Sequence, residues 1–574
     1  MEKVRVRFAP SPTGPLHLGG VRTALYDYLF AKNQGGEFVL RIEDTDTARY
    51  VEGAEDYIEE ALEWCGIIAD ESPKKGGKFA PYRQSERRDI YDRYTEEILK
   101  TDYAYIAFDT AEELDAIRAE FEAKGDVFSY DNKTRNLLRN SLALSEEEVQ
   151  KLLAEKTPYV VRFKMPIDRT LNLVDIIRGN SSVNTNTLDD KVLVKNDGMP
   201  TYHFANIIDD HEMEISHVIR GEEWLPSLGL HTLLYEAMGW EAPQFAHLSL
   251  ILKPDVSTLI NKENIDSITK SFTEEFVTKN SQFSFDESAA IIKSFFSEVK
   301  SPRFKSMLNE NDKDNEITAS VKQFLKKGLS GKLSKRDGDK FGFPVFPLDF
   351  KDLSTGNISK GYRENGYLPE AFINMVALLG WSPADDKEIL TLDEMAKEFD
   401  LNKVHKAGAR FSKEKSEWFN HQYIQFKSDE ELLQILKNSD LHLNIEDEKL
   451  LKIIHLMKER ATFPKDIYEN GKFFFEAPTS YDEKASKKAW NEETSAILAE
   501  LASNLEGAEF NAENLKQVMH DFVENKGLGI GKVMMPLRLA LVGELKGPDV
   551  PDILELIGRE ESISRINNAI NNFK

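Results

Sequence analysis

The sequence predicts an α/β fold: a parallel sheet covered by helices, interrupted by inserted segments and followed by an all-helical third. Three observations point there. Near the start, Val4-Arg5-Val6-Arg7-Phe8 reads as a strand, breaks at Pro10, Pro12, Gly14 and Pro15, and passes into a helical repeat at Leu18, Val21, Leu25 and Leu29. A second strand from Phe38 to Ile42 leads through Glu43-Asp44-Thr45-Asp46 to a helix carrying Ile58, Ala61, Leu62 and Cys65. Strands alternating with helices favour a parallel sheet that binds ligands at the C-terminal ends of its strands. Beyond Gly366 the apolar spacing becomes almost purely helical. At 574 residues the chain exceeds one hydrophobic core, and roughly 150 residues per domain suggests about four units.

Each element follows in turn. Residues 105–195 form an excursion, with charged helices near 110–124 and 145–156 and a strand Tyr159-Val160-Val161-Arg162-Phe163. Strand-like runs at Val192–Val194 and His217–Ile219 mark the sheet resuming. Residues 256–330 differ, with no Trp and no Gly before Gly328. Ser271 with Glu274 and Ser284 with Glu287 are spaced as capping boxes, and Ala289, Ile292, Phe296 and Val299 share a helical face, so short, loosely attached helices are expected. Pro369–Leu379 begins with proline in its first turn and stops at Gly380, and Thr391 with Glu394 is a further capping box. The boundaries are 1–104 and 196–255 for the two halves of the sheet domain, 105–195 and 256–330 for the insertions, 331–368 for a lysine-bearing connector, and 369–574 for the all-helical region.

Composition narrows the function. A net charge of −25 argues against a general polyanion binder, whose phosphate contacts need Lys and Arg, although local basic tracts occur at Lys322–Lys340 and Lys403–Lys415. The single cysteine, Cys65, can form neither an internal disulfide nor a cysteine zinc cluster and suits one buried apolar position. There is no run of about 18 apolar residues and no charged-then-apolar leader, so the chain is expected in the cytoplasm, without a membrane association.

The segment Pro10-Ser11-Pro12-Thr13-Gly14-Pro15-Leu16-His17-Leu18-Gly19-Gly20 lies between a strand and its helix, where free amides and the helix dipole attract phosphate. Gly19 and Gly20 would admit a base or ribose close to the backbone, and His17 would donate to a phosphate oxygen as charge builds. A proline-rich turn with a capping histidine is the plainer alternative. Far downstream, Gly331-Lys332-Leu333-Ser334-Lys335-Arg336-Asp337-Gly338 reads as a glycine-flanked loop whose compact lysine charges suit a departing pyrophosphate, or simply as a solvated basic loop.

The two segments together resemble the histidine-glycine and lysine-serine-lysine signatures of class I aminoacyl-tRNA synthetases. The glutamyl branch in particular is matched by Arg7-Phe8-Ala9-Pro10-Ser11-Pro12-Thr13-Gly14, Arg41-Ile42-Glu43-Asp44-Thr45-Asp46, Tyr82-Arg83-Gln84-Ser85-Glu86-Arg87, Pro200-Thr201-Tyr202-His203-Phe204-Ala205-Asn206 with Asp209-Asp210-His211, Val218-Ile219-Arg220-Gly221-Glu222-Glu223-Trp224, and Gly531-Lys532-Val533-Met534-Met535-Pro536-Leu537-Arg538. The resemblance spans nearly the whole chain except residues 256–330. It implies a Rossmann-type catalytic domain with an inserted α+β connective subdomain that binds the tRNA acceptor end, then an all-α anticodon-binding region. It also implies ATP with Mg2+, L-glutamate and tRNA(Glu) as partners, a glutamyl-adenylate intermediate, a monomer, and an activation step that needs bound tRNA.

By that resemblance Arg7 and Arg220 hold carboxylates, Arg220 the side-chain one, while Glu43 meets the ammonium and Ala9, Ser11, Tyr202 and Asn206 complete the glutamate pocket. Gly19, Gly20, Glu223, Leu250, Ile251 and Lys335 border ATP, and His17, Lys332 and Lys335 act on the phosphates. A strand-edge ion pair is the structural alternative for either arginine; a helix-capping turn explains two of Glu43, Asp44 and Asp46 more simply than a metal site. Some relatives carry cysteines for zinc after the match to Tyr103-Ala104-Tyr105; here Ile106-Ala107-Phe108-Asp109 follows, so no zinc is expected. The rival readings are a glutaminyl enzyme, disfavoured by the helical C-terminal third; a shortened relative that modifies a tRNA base, which lacks that third; a nucleotidyltransferase of the same fold; and a non-catalytic tRNA-binding paralogue, disfavoured by the retention of His17, Lys332 and Lys335. Whether tRNA(Gln) is charged as well is open.

Overall fold

The computed structural model describes residues 3–46, 49–310, 315–352, 356–441, 443 and 445–573. The chain divides into two units, Met1–Asn365 with Phe372–Lys413, and Gly366–Ala371 with Glu414–Lys574.

In the first unit β1 (Arg5–Phe8) leads through the proline-rich turn to α1 (Leu18–Asn33) and back to β2 (Glu37–Leu40), which pairs with β1 in parallel. All four residues of β1 are buried, as expected for a parallel strand covered on both faces. The arginines of the alternating run are therefore inside, and each has an acidic partner: Arg5 meets Glu71 at 3.1 Å and Arg7 meets Asp210 at 2.8 Å. Next come α2 (Ala54–Trp64), on whose end Cys65 is buried, and α3 (Arg88–Ile98).

The excursion contains β3 (Ala104–Ala107), α4 (Ala111–Ala123), α5 (Glu146–Ala154), β4 (Val160–Phe163), the antiparallel hairpin β5 (Thr170–Asp175) and β6 (Gly179–Asn184), and β7 (Val192–Val194). Both charged helices start in capping boxes, Thr110 with Glu113 and Ser145 with Glu148. Strand β7 does not resume the parallel sheet as expected; it pairs with β4 to close an antiparallel sheet ordered β3-β4-β7. Resumption comes after α6 (Tyr202–Glu212), with β8 (His217–Gly221). The amide beside β8, Ser216 N, donates to Arg5 O of β1 at 2.9 Å. After α7 (Leu228–Met238), β9 (Gln244–Leu248) runs parallel to β8 with Arg220 opposite His247.

The short β10 (Ile251–Leu252) precedes the 256–330 segment, whose helices are α8 (Val256–Leu259), α9 (Ile265–Lys279), α10 (Phe285–Ser297), α11 (Phe304–Asn309) and α12 (Glu316–Gly328). Ser284 caps α10 as expected, accepting from Glu287 N. Ser271 does not cap: it lies inside α9, because the stripe Ile268, Phe272 and Phe276 extends the helix upstream of it. The expectation of loose attachment also fails. Phe272 is buried against Phe296 and Phe324 of the segment and against Phe341 of α13 (Lys335–Phe341), and Glu275 is ion-paired with Lys340 of the same helix. The segment's ends meet, Lys253 N donating to Gly331 O at 3.0 Å. Within the basic tract Lys322–Lys340, Lys322 is buried and reaches Glu310 O, so that tract is not one solvated face.

A small antiparallel pair, β11 (Phe350–Lys351) and β12 (Ile358–Ser359), precedes α14 (Pro369–Ala377), α15 (Leu392–Glu398) and β13 (Ala409–Arg410). Residues 372–413, which the helical pattern groups with the C-terminal third, belong to the first unit: Arg22 of α1 donates to Leu379 O at 2.9 Å, Tyr26 to Ala377 O at 2.9 Å, and β13 pairs in parallel with β10. Capping by Thr391 and Glu394 is as read.

The second unit is helical among its described residues from Glu414 onward. Arg565 is buried and donates to Phe473 O and Leu541 O, tying helix ends together. Trp490 stacks on Phe573 at 4.5 Å. The Gly531–Arg538 motif lies on the helix Ile530–Val542.

Candidate active site

A cavity of about 640 Å³ opens at the C-terminal ends of β1 and β8, and every residue expected to meet glutamate, ATP or the phosphates lines it. The cavity is built first by the turn after β1. His17 is the N-cap of α1, with extended backbone (φ −96°, ψ 170°), and its Nδ1 accepts from Gly19 N at 2.9 Å. Burial, with the Lys332 and Lys335 charges, lowers its pKa to about 4. The ring is therefore neutral near pH 7, and because Nδ1 is an acceptor its one proton sits on Nε2. Capping and donating are thus compatible roles, one for each nitrogen.

The glycines have a reason internal to the fold, beside the one read in the sequence. A Cβ on Gly19 would lie 2.8 Å from His17 Cε1, and one on Gly20 would lie 2.4 Å from Leu16 Cδ1. Gly19 makes room for the histidine ring and Gly20 for a leucine, so the close approach is to the protein's own side chains. Gly14 has φ +134°, and a Cβ there would sit 3.4 Å from Lys335 Nζ. That contact brings the two distant signatures together.

The lysine segment is not the loop expected. Lys332 bridges Leu252 of β10, Leu333 N donates to Ile251 O at 2.8 Å, and the helix α13 starts at Lys335. Its start is fixed by Asp337, which accepts from Ser334 N at 2.7 Å and Oγ at 2.6 Å and is itself held by Lys253 Nζ at 2.9 Å. Lys332 is paired with Glu223 at 2.9 Å. Burial opposes Glu223's charge, but the Lys332 hydrogen bond holds its carboxyl below the usual range. Lys335 has no carboxylate within salt-bridge distance among the described residues, and burial lowers its pKa. Leu250, whose amide donates to Glu222 at 3.1 Å, and Ile251 form the wall beside these groups.

The other end of the cavity holds Arg7, Ala9, Ser11, Glu43, Tyr202, Asn206 and Arg220. Arg7 is engaged by Asp210 through Nε (2.8 Å) and Nη2 (3.3 Å), leaving Nη1 as its open edge. Asp210 also holds Arg41 at 2.8 Å; burial would raise its pKa, but the two arginines keep the carboxyl below its ordinary value. Glu43 is buried, bonded to Arg41 at 3.2 Å and to Asn206 Nδ2 at 2.8 Å, and burial raises its pKa. Its neighbours are bound within the fold but do not cap the helix that follows, contrary to the capping alternative: Asp44 accepts from Ser85 N and Oγ, Asp46 pairs with Arg49, and α2 starts after Gly53 without a side-chain cap.

Arg220 is 5% exposed, yet its donors go to His247 Nε2 (3.0 Å), Tyr202 Oη (2.8 Å) and Trp224 O (3.4 Å), all neutral acceptors. Among the described residues no carboxylate stands within salt-bridge distance of it. Among the described residues three cations that line the cavity have no carboxylate within salt-bridge distance: Arg220 at one end, Lys335 at the other, and Arg22, whose buried guanidinium is engaged by Leu379 O and Ser249 O. For Arg220, which is buried, that state is costly unless an anion meets it, whereas Lys335 is exposed to solvent.

Sequence reasoning missed the residues behind the wall. Asp210 and Trp224 lie in stretches quoted for their resemblance without a role, Arg41 likewise, and His247 and Asp175 carry no local signal. Among the described residues no group of three or more His, Cys, Asp or Glu side chains could hold a metal ion.

Residues 3–328 and 351–418 match the model of the class I tRNA synthetase (E and Q) catalytic domain, leaving out 329–350 and so Lys332 and Lys335; residues 425–570 match an anticodon binding domain. The chain is 50% identical to the glutamate–tRNA ligase of Christiangramia forsetii, aligned over 100% of this chain and 99% of that protein, and 49% identical to that of Flavobacterium johnsoniae, over 99% of each. Among solved structures it is similar to a glutamate tRNA ligase from Elizabethkingia meningosepticum in complex with its amino acid (65% identity, TM-score 0.85, 100% of both chains) and to a glutamate-tRNA synthetase from Elizabethkingia anophelis (65% identity, TM-score 0.83, 99% of this chain and 100% of that one).

Proposed function

The chain belongs to the class I tRNA synthetases of the glutamate and glutamine branch, and from that premise we propose that it joins L-glutamate to the 3′ end of tRNA(Glu) at the expense of ATP. The observation that carries the reading is that Arg220 and Lys335 stand without carboxylate partners at the two ends of one cavity, because glutamate and ATP together bring anionic groups to both ends. Arg220 takes the side-chain carboxylate, with Tyr202 fixing its fork. Glu43 and Asn206 receive the ammonium, and Arg7 offers its Nη1 edge to a carboxylate while Asp210 occupies the rest. Ala9 and Ser11 shape the floor between them.

At the other end ATP, bound with magnesium, lies against Gly19, Gly20, Leu250 and Ile251. An oxygen of the glutamate α-carboxylate attacks the α-phosphorus, the bond to the β-phosphate breaks, and pyrophosphate leaves. His17 donates its Nε2 proton in a hydrogen bond to a phosphate oxygen as charge builds there. Lys335 offsets charge on the departing pyrophosphate, and Lys332 does so once it exchanges Glu223 for phosphate. The terminal 2′-hydroxyl of tRNA then attacks the acyl carbon of glutamyl-adenylate; the ester forms, the hydroxyl proton is released, and AMP leaves. The enzyme works as a monomer in the cytoplasm; no helix among the described residues is long and apolar enough to cross a membrane.

The test is charging of purified glutamate and glutamine tRNAs, separately, with labelled glutamate, ATP and magnesium. Alkali-labile, acid-stable glutamyl-tRNA(Glu) with matching AMP and pyrophosphate is the expected result, together with near silence in pyrophosphate exchange without tRNA. Acylation of neither tRNA would refute the reading, and acylation of both would mark a non-discriminating enzyme.

A further inference from the structure

Arg220 sits on β8, and within the cavity only its two terminal nitrogens are met, by Tyr202 Oη and Trp224 O. Behind it, its Nε donates to His247 Nε2 at 3.0 Å, and His247 Nδ1 lies 2.6 Å from Asp175 Oδ2. His247 and Asp175 are almost fully buried, and Asp175 is the last residue of β5, in the inserted subdomain. We propose that Asp175 and His247 are positioning residues that orient Arg220 for the substrate's side-chain carboxylate, so that the inserted hairpin sets the affinity for glutamate. This deepens the function proposed above and rests on it.

The chain of bonds has only one workable direction. Ionised Asp175 can only accept, so it takes the proton of Nδ1; burial keeps the ring neutral, so Nε2 is left with a lone pair; and Arg220 Nε can only donate. Asp175 is fixed in turn by the amides of Ile177 at 3.0 Å, Arg178 at 2.7 Å and His247 at 3.1 Å. With Nε anchored, Nη1 on Tyr202 and Nη2 toward Trp224 O, one N–H on each terminal nitrogen stays uncommitted, the pair that a carboxylate can bridge. The imidazole also solves an electrostatic problem. A carboxylate touching Arg220 would cancel the charge that the substrate needs, as Asp210 largely does for Arg7, whereas a neutral ring orients the guanidinium and keeps the acidic partner one ring away.

Three variants of the full-length protein separate this from mere bracing. In His247→Gln the side-chain carbonyl can replace Nε2 as acceptor. In His247→Asn the amide reaches only the Nδ1 position, so the bond to Asp175 survives and Arg220 Nε is left without a partner. In Asp175→Asn the backbone amides hold the carbonyl at the Oδ1 side, the NH2 faces Nδ1, and the ring must carry its proton on Nε2, donor against donor with Arg220. In tRNA charging, His247→Asn and Asp175→Asn are expected to raise KM for glutamate about tenfold or more, the worth of one charge-assisted hydrogen bond, with kcat changed by less than about threefold and KM for ATP unchanged. His247→Gln should stay within about threefold of the parent, and the double variant Asp175→Asn/His247→Asn should be no worse than either single one. The proposal is overturned if glutamate KM does not move, if His247→Gln is as impaired as His247→Asn, or if KM for ATP rises in step. A parent that fails to charge tRNA with glutamate, or an Arg220→Gln variant with parental glutamate KM, overturns the function reading as well and so identifies which of the two has failed.

Discussion

Excising residues 257–329 and rejoining the chain removes a segment whose ends are already hydrogen-bonded, Lys253 N to Gly331 O, so closure itself adds little strain. A passive appendage would leave ATP handling untouched, but α13, which begins at Lys335, would lose its packing partner. Phe341 would lose Phe272, now at 5.7 Å between ring centroids, a pair worth about 1 kcal/mol. Lys340 would lose the same ring, at 4.7 Å, and its ion pair with Glu275; each is worth about 0.5 kcal/mol where solvent still screens it. Together these favour the docked position of Lys335 by about 2 kcal/mol, so kcat/KM for ATP should fall about 30-fold in tRNA charging if that stabilisation is realised in the transition state. KM for glutamate should hold, because Arg220 stands on β8, away from α13. Phe272→Ala in the intact chain should shift ATP kinetics in the same direction. An excised protein that is soluble, folded and within about twofold of the parent in ATP kinetics would refute the bracing argument and restore the passive appendage.

Other consequences are open to direct measurement. Gly19→Ala drives a Cβ to 2.8 Å from His17 Cε1, so the ring must move, and kcat should fall about 100-fold while calorimetric glutamate affinity is retained. Asp210→Asn leaves buried Arg7 and Arg41 short of their shared carboxylate and should cost about 3–5 kcal/mol in urea unfolding, with weaker glutamate binding beside it. His17 has a pKa of about 4 in the fold against an ordinary 6.5, so the unfolded chain takes up that proton first; the stability His17 contributes is full above about pH 6.5 and is lost as pH falls toward 4. His17→Asn, which cannot titrate, should therefore lose less stability between pH 7 and 4.5 than the parent in matched denaturant titrations.

How much of this was legible depended on range. The strand, turn and helix around His17 were readable because periodicity and proline spacing act over a few residues, whereas the crowding of Gly19 by the His17 ring and of Gly20 by Leu16 is visible only in three dimensions. The meeting of Gly14 with Lys335 is a product of the whole fold and could be inferred only by resemblance. Within 256–330 the helices were readable but their tightness was not, since a Phe on α9 gives no sign of whether its partner lies inside the segment or on α13. Ser271 fulfilled a capping spacing and still lost to the apolar stripe of a longer helix. Strand β7 read as a return to the main sheet because a three-residue apolar run says nothing about which neighbour it pairs with. Asp175, at the end of a hairpin, looks like any strand-end aspartate until His247 is seen against it.

The two arginines at one end of the cavity show what such second-layer residues accomplish. Arg7 and Arg220 are both nearly inaccessible, and resemblance gives each a carboxylate to hold, Arg220 the side-chain one. Arg7 has most of its fork filled by Asp210, so it serves as a fixed wall with one edge free. Arg220 is oriented entirely by neutral acceptors and keeps its charge unmet. On the proposed reading, a glutamate carboxylate completes Arg220, whereas the neutral amide of glutamine would bring an oxygen for one N–H, an NH2 against the other, and no charge to offset the guanidinium. Sites built to hydrogen-bond a polar group reject an analogue that leaves their buried groups unpaired far more strongly than apolar pockets reject a missing methylene. Selection for glutamate therefore rests on the absence of an acidic partner beside Arg220, and an Ala246→Asp or Ala246→Glu change would not supply one, whereas His247→Asp, which puts a carboxylate on the residue that touches Nε, should weaken glutamate binding more than any neutral substitution at that position. Glutamate KM for His247→Asp at or below that of His247→Asn would show that charge at this distance is not what the site conserves for its substrate.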